Sequence, residues 1–537
     1  MNAIHEVGGD GGDGDTEEGP DVRALFTDGE PWAPPGGAPR LDPTAVDDRP
    51  FDYVVVGGGV HGTHVVARLV AAGVDPGDLL LVDERPALLA SFREKAAACG
   101  MESLRSFATE HLGDDPFDLV SFARARGRDD ELLPTVSHPP RPTLPLFLDH
   151  AAAVVARAGL RDRLRRARVT GLRPVGDGVV VETDAGSVRA RRCVLAIGHG
   201  DRFARPDWTA GIPADRPVVH AFDPAFDPGD AAWRAGPTVV VGGGITAAQV
   251  AVALADGPGE RAAADGDERT PARPDDPAGP SGPSGDPGAA TPVRADGGAP
   301  VQLCSRHRLS AATIESEPRW RYWRTVEERL HELPAGSQAR LDAVRAGHRG
   351  ATIPPYLFER VDLASRRGDL AVRVDEVAAA SPAPNGTGVD LRFDSGRSVR
   401  DARVVLATGF EPAASNPVVD RVATALGLAT GAGGLPVLDD HTLEWRRADG
   451  RSGSRIHVVG GLAATSIGPL AATIAGARGA AERLVETRRA STRRAARLAT
   501  DGGTDDTGTS VPGSDATGLD GPSPDHSAPD EPGSDAS

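Results

Sequence analysis

The chain has 537 residues, a net charge of −18, 39% hydrophobic residues and three cysteines. That length predicts two to four domains, and an acidic balance with no dense basic face excludes a nucleic-acid binder. Without a Cys-x-x-Cys pair, the cysteines argue against a disulfide framework and against a dithiol reductase.

Residues 1–50 are rich in Gly, Pro and Asp and carry a net charge of −9. Such a segment buries too little apolar surface to offset its ordering entropy, so a disordered acidic tail is predicted. No charged start leads into an apolar stretch, so no signal peptide is expected. No apolar run reaches membrane-spanning length, so a cytoplasmic location without membrane contact is expected.

The first folded element is Tyr53-Val-Val-Val-Gly-Gly-Gly-Val-His-Gly62. Val54 to Val56 read as a buried parallel strand. Gly57 permits the tight turn, Gly59 lets the backbone approach a pyrophosphate, and Gly62 lets the next helix pack on the sheet. That helix is predicted from about Val60 to Ala72, with its positive end towards the phosphates. Leu79-Leu-Leu-Val82 then ends in Asp83, placed to accept hydrogen bonds from an adenosine ribose. His61 and His64 are three apart on the helix, but no further ligands converge, so no metal site is predicted. Arg161-Asp-Arg-Leu-Arg-Arg166 reads as a solvated helix face.

A second loop follows at Thr238-Val-Val-Val-Gly-Gly-Gly-Ile-Thr-Ala-Ala248. Gly242 and Gly244 repeat the pattern, and Ala247 replaces the third glycine, where only helix packing is at stake. The next strand, from Val301, ends in Ser305 and Arg306 instead of an acid. An arginine there suits a 2′-phosphate, which favours NADPH over NADH. Between loop and strand, Gly257 to Pro300 is low-complexity, and its expected place opposite the phosphate loop makes it dispensable. Trp320, Tyr322 and Trp323 are read as either a pocket wall or core packing. Cys193 and Cys304 are read as small buried apolar residues.

Each loop has the same sequel. Gly178 to Gly198 and Val389 to Gly409 both alternate, turn at Asp-x-Gly and end in a buried strand closing on Leu-Ala-x-Gly. Gly198 and Gly409 permit close passage at a cofactor or domain boundary. Near the end, Ile456-His-Val-Val-Gly-Gly461 reads as a last strand, and Thr465-Ser-Ile-Gly-Pro-Leu470 as the opening of a helix towards Glu486. The stretch from Asp501 again carries −9, so the two tails account for the whole net charge. No nucleophile elbow supports Ser-His-Asp hydrolysis.

These motifs resemble the two-dinucleotide-domain flavoproteins, and within them the N-hydroxylating (lysine- and ornithine-type) flavin monooxygenases, over roughly Asp52 to Leu484. The carriers are the two loops, Asp401 through Leu406-Ala-Thr-Gly-Phe410, and Met101-Glu-Ser-Leu-Arg105 followed by Asp115-Pro-Phe117. The resemblance implies FAD at Gly57–Gly62 and NADPH at Gly242–Ala247. It also implies that the terminal helix, with Gly468 and Pro469 at its start, faces the flavin. His220 resembles the family's histidine leading into the NADPH domain, though a structural hydrogen bond explains it equally well. Phe107 stands where ornithine-type members carry a substrate-anchoring lysine; Lys95 is the only lysine in the chain, and Arg105 is the candidate replacement.

The expected fold is therefore α/β: a Rossmann-like FAD domain at 51–211 and 401–490, an inserted Rossmann-like NAD(P)H domain at 212–400, and disordered acidic ends at 1–50 and 491–537. The implied activity is an NADPH-reduced monooxygenase that forms a C4a-hydroperoxyflavin and oxygenates a small substrate, with amines among the candidates. The alternatives are an NAD(P)H:acceptor flavin reductase and a nucleotide-binding redox sensor. Small-molecule substrate and oxygen are the expected partners, oligomerisation is left open, and no catalytic side chain is assigned.

Overall fold

A computed structural model describes residues 31–42, 49–267, 300–350, 352–384, 386–451 and 453–501. The N-terminal tail up to residue 30, residues 268–299 of the insertion and the tail from 502 lie outside the described residues. Val54, Val55, Val239 and Val240 are apolar and fully buried, so each can only sit in the middle of a sheet covered on both faces.

The first sheet is built from β1 (Phe51–Val56) and β2 (Leu79–Asp83). The chain then leaves it for a hairpin of β3 (Leu132–Thr135) and β4 (His138–Pro142). It returns through β5 (Leu164–Arg166), β6 (Val169–Val175), β7 (Gly178–Thr183) and β8 (Gly186–Leu195). The strands lie in the order β5-β2-β1-β8-β7-β6. The second sheet uses β9 (Val218–His220), β10 (Thr238–Val241) and β11 (Val301–Ser305). A small parallel pair, β12 (Ser310–Ala311) with β13 (Thr352–Ile353), stands apart. The sheet is completed by β14 (Leu370–Val374), β15 (Val377–Pro382), β16 (Val389–Phe393) and β17 (Ser398–Leu406). Its order, β14-β11-β10-β17-β16-β15, is the same path. The sequence repeat is thus a repeat of fold. β18 (Ile456–Val458) then pairs with β8, so the first domain is closed by the far end of the chain.

Three expectations are corrected. The strand containing Asp401 does not belong to the first sheet: β17 lies between β10 and β9, with Thr238 opposite Arg403 and Val404 opposite Val218. The return to the first domain comes after Gly409. Residues 31–42 are not part of a structureless tail, because Trp32, Ala33, Ala38 and Leu41 are buried in the first core and the backbone there bonds to Pro86 and Arg166. The final helix, Ile474–Asp501, begins six residues after Gly468, whose positive φ of 97° ends a short helix at Ala464–Ile467. That final helix also runs past 491, and residues 489–501 belong to a separate C-terminal unit.

The helix after the second loop runs past Gly257, where the insertion was expected to begin. Helix Ile245–Asp267 leads away from the second loop, and Val301 opposite Thr238 brings the chain back at the amino edge of the sheet.

Candidate functional site

The two glycine loops have matching geometry. Gly57 N–H donates to Val82 O at 2.8 Å, and Gly242 N–H to Cys304 O at 2.9 Å. Gly57 (φ +109°) and Gly242 (φ +154°) each turn so tightly that a Cβ would stand 2.4 Å from a carbonyl, of Ala196 and of Ala407. At Gly62 a Cβ would stand 1.8 Å from Gly57 O, so only glycine lets helix Val60–Ala71 seat on its loop. The second helix seats less closely, because Ala247 is accommodated there fully buried.

The middle glycines differ from these in kind. A Cβ at Gly59 or Gly244 would meet no protein atom within 4 Å. Gly59 heads its helix with extended backbone, and no side chain caps the helix. Open space above a glycine, with helix amides facing it, fits a pyrophosphate approaching the backbone. Both loops therefore fit the dinucleotides that the sequence implies.

Asp83 accepts from Gly58 N–H at 2.6 Å and from Arg85 N–H at 2.8 Å. One lone pair on each oxygen holds the loop, and the other remains for a ribose hydroxyl. In the repeat, Ser305 takes the place of Asp83: Val82 pairs with Val56, Cys304 pairs with Val241, and Ser305 Oγ accepts from His307 N–H at 3.3 Å. Ser305 itself brings no carboxylate, while Asp375 N–H donates to Ser305 O at 2.9 Å from the end of the neighbouring β14. Arg306 follows with its side chain 71% exposed and Glu376 at 4.0 Å.

Other expected residues find different roles. Gly409 (φ +80°) accepts at its carbonyl from Ala204 N–H and from His220 Nε2, both at 3.0 Å. His220 Nδ1 accepts from Phe222 N–H, so both ring nitrogens are engaged and the ring is neutral, pushed down to about 4, chiefly by burial. Gly468 and Pro469 are buried, facing Trp320 and Gly347. Trp320 packs with Val326, Leu330, Val344 and Leu470, and with Trp323 it walls a cavity of about 240 Å³ that also meets Glu110 and Arg321. Tyr322 is exposed.

Arg105 is engaged within the protein. Its guanidinium donates to the carbonyls of Ala312, Thr313 and Thr352 and to the Thr352 hydroxyl, and it meets Glu315 at 3.3 Å. Four of its five N–H donors tie the first domain to β13 and the loop after β12. Phe107 is buried, stacked on His138, with Arg321 over its ring at 4.6 Å. Arg321 pairs with Glu110, and burial next to Arg105 pulls it down to about 10.

A cluster that the sequence did not reveal joins the two domain crossings. Phe203 stacks on His220 at 4.4 Å, Phe222 on Phe410 at 5.6 Å and His199 on Phe410 at 5.1 Å. Thr408 Oγ1 donates to Ala204 O, and Glu411 N–H to Arg202 O. Phe410 stood in a motif and His220, at the end of β9, was singled out by resemblance; Phe203, Phe222 and His199 lie in loops without periodicity. Among the described residues no His, Cys, Asp and Glu group could hold a metal, and no helix is long and apolar enough to cross a membrane. All three cysteines are buried and unpaired.

Residues 54–200 match a family model described as FAD-NAD(P)-binding. No curated protein matches the sequence. Among solved structures the chain is similar to an ornithine N-hydroxylase of Kutzneria sp. 744, at 18% identity and TM-score 0.57, covering 82% of this chain and all of that one. It is also similar to L-lysine 6-monooxygenase from Pseudomonas syringae, at 19% identity and TM-score 0.53, covering 81% and all of that chain. A bacillithiol disulfide reductase from Staphylococcus aureus shares the fold at 11% identity and TM-score 0.50, covering 82% and 99%. The chain thus has the FAD- and NAD(P)-binding fold of the flavin oxidoreductases.

Proposed function

We propose that this flavin oxidoreductase fold serves an NADPH-dependent monooxygenase that uses oxygen to oxygenate a small substrate. Bound FAD would take a hydride from NADPH and supply the oxygen chemistry, while the chain binds, orients and excludes water. The observation that carries the reading is the pair of matched loops, each with an open glycine, on two sheets of one topology. Both fingerprints thus offer a dinucleotide the same backbone approach.

The cysteines favour this reading over a disulfide reductase. Thiol exchange needs an accessible thiolate. Burial pushes Cys99 up to about 12 and raises Cys193 and Cys304 as well. Amines, the substrate class named for the ornithine and lysine enzymes, are the first to screen, although Phe107 and the largely engaged Arg105 favour a different anchor.

The test is stopped-flow absorbance of the FAD-loaded protein, reduced by NADPH and then mixed with oxygen. A lasting oxygenated-flavin band is the expected result. Fast reduction with direct reoxidation would replace the reading with an acceptor reductase, and no reduction at all would leave a redox sensor.

Ser305 and Arg306 support the choice of NADPH. Arg306→Ala is expected to raise the Michaelis constant for NADPH about 10- to 100-fold, as a charged hydrogen bond is worth ~1.5–3 kcal/mol, and to leave NADH nearly unaffected. Steady-state reduction with both nucleotides checks this; equal effects would remove the 2′-phosphate argument.

A further inference from the structure

We propose that His199 contacts bound FAD, accepting at Nε2 a hydrogen bond from the imide N–H of the flavin ring.

The carboxyl ends of β1, β8 and β18 lie side by side, with Leu195 opposite both Val56 and Val458. In a parallel sheet, ligands bind beyond such ends. The ends carry Gly57–Gly59, His199, and the turn Gly460–Gly461. Asp83, the adenosine-side acid, lies across β1 on β2. The other half of a dinucleotide seated on Gly59 therefore extends towards β8 and β18.

The Gly460–Gly461 turn is flanked by two histidines. A Cβ at Gly460 would stand 3.7 Å from His61, and one at Gly461 would stand 3.6 Å from His199 Nε2. His61 turns its Cδ2–Nε2 edge to the turn, and that Nε2 already donates to Ala471 O at 2.9 Å. His199 is fixed differently. Its Nδ1 donates to Glu411 O at 3.3 Å, and its ring lies on Phe410, tilted by only 21°.

That anchoring sets the tautomer. A carbonyl can only accept, so Nδ1 carries the hydrogen and Nε2 the lone pair. Burial, with Lys95 nearby, holds the ring below the ordinary histidine range, so it is neutral at pH 7. Nε2 is left as an acceptor at the edge of the Gly461 turn, where a ligand donor can replace water. The oxidised flavin ring has one N–H, the imide at N3; ribityl hydroxyls are the other donors on FAD.

The inference rests on FAD binding at the first loop and not on what reduced flavin does with oxygen. The test is titration of full-length apoprotein with FAD and with N3-methyl-FAD, which lacks the imide donor, followed by flavin fluorescence. The wild-type protein is expected to bind the methyl analogue about 3- to 10-fold more weakly, the range of one neutral hydrogen bond. His199→Leu is expected to bind both flavins equally and to shift the visible spectrum of bound FAD. His199→Gln, which keeps an acceptor at similar reach, should restore the preference. A wild-type protein that binds the two equally overturns the proposal, even if the leucine variant does not fold. A leucine variant that retains the full preference also overturns it. Weaker binding of both flavins without a spectral shift would reassign His199 to the ribityl chain. Failure of the wild-type protein to bind FAD at all would instead sink the cofactor reading.

Discussion

Replacing Gly59 by valine is expected to give a folded protein that no longer retains FAD. Folding is spared because Gly59 has an ordinary φ of −74° and a Cβ there meets nothing within 4 Å. Binding is lost because that empty space is where a pyrophosphate must lie to reach the helix amides. Losing two such charge-assisted hydrogen bonds costs about 3–6 kcal/mol, a fall in affinity of at least ~100-fold. Gly62→Ala separates the two effects. Its Cβ would stand 1.8 Å from Gly57 O, so it damages the loop itself and lowers the melting temperature of the apoprotein. The measurements are bound flavin per protein, fluorescence titration with FAD, and thermal melts of the apoproteins. A yellow, fully loaded Gly59→Val protein would remove the first loop from the site.

The second large effect is expected in acid. His64 and His111 are buried, and burial holds each neutral. His64 Nδ1 donates to Leu112 O at 2.9 Å, while its Nε2 meets no partner among the described residues. His111 Nε2 donates to Pro116 O, and its Nδ1 accepts from Gly113 N–H. Burial pulls both down to about 3; Arg478 adds to the effect on each, and His150 to that on His111. The ordinary histidine value of 6.5 applies to the unfolded chain. Between pH 6.5 and 3 the unfolded state therefore binds protons that the folded state refuses, so stability falls as pH falls through that window. At pH 5 each histidine costs about 2 kcal/mol, and two together remove a large share of a typical ~5–15 kcal/mol.

Asp118 acts in a lower window. Its hydrogen bond from His150, with Arg157 assisting, holds its carboxyl well below the usual range. Its contribution is present above the unfolded carboxylate value and is lost only below it. Urea unfolding between pH 7 and 5 should therefore show a steep loss. His64→Asn, which keeps a donor for Leu112 O, should lower that slope by up to ~1.4 kcal/mol per pH unit. An unchanged slope would clear His64 of the effect.

Local chemistry made much of this protein legible in its sequence. Val54–Val56 and Val239–Val241 could only be central strands, and Gly62 answers to close packing on Gly57, five residues away, while the recurring glycine pattern marked the turns at Gly57 and Gly242. The repeat of Leu-Ala-x-Gly gave away a shared topology, because strand pattern and turn residues recur together. What the sequence misplaced depended on distant partners. Asp401 looked like the return to the first domain, yet β17 is held by β9 and β10 of the second. Gly468 and Pro469 looked like a helix start, yet their place is set by Trp320 and Gly347, more than 100 positions away. Trp32 sits among Gly and Pro and reads as tail, but the first core offers it a buried seat. Arg105 stood as the candidate replacement for a lysine, and only the approach of β13 and the loop after β12 shows four of its five N–H donors to be engaged.

By itself the sequence determined two dinucleotide loops, their strands and the likeness between them, since each is a short-range matter of backbone freedom and apolar run length. The tertiary structure alone decided which strand closes which sheet, which charges are already paired, and which histidine nitrogens are already bonded. Those depend on groups far apart in the chain meeting in a space from which water is excluded, where every donor and acceptor has to find its match.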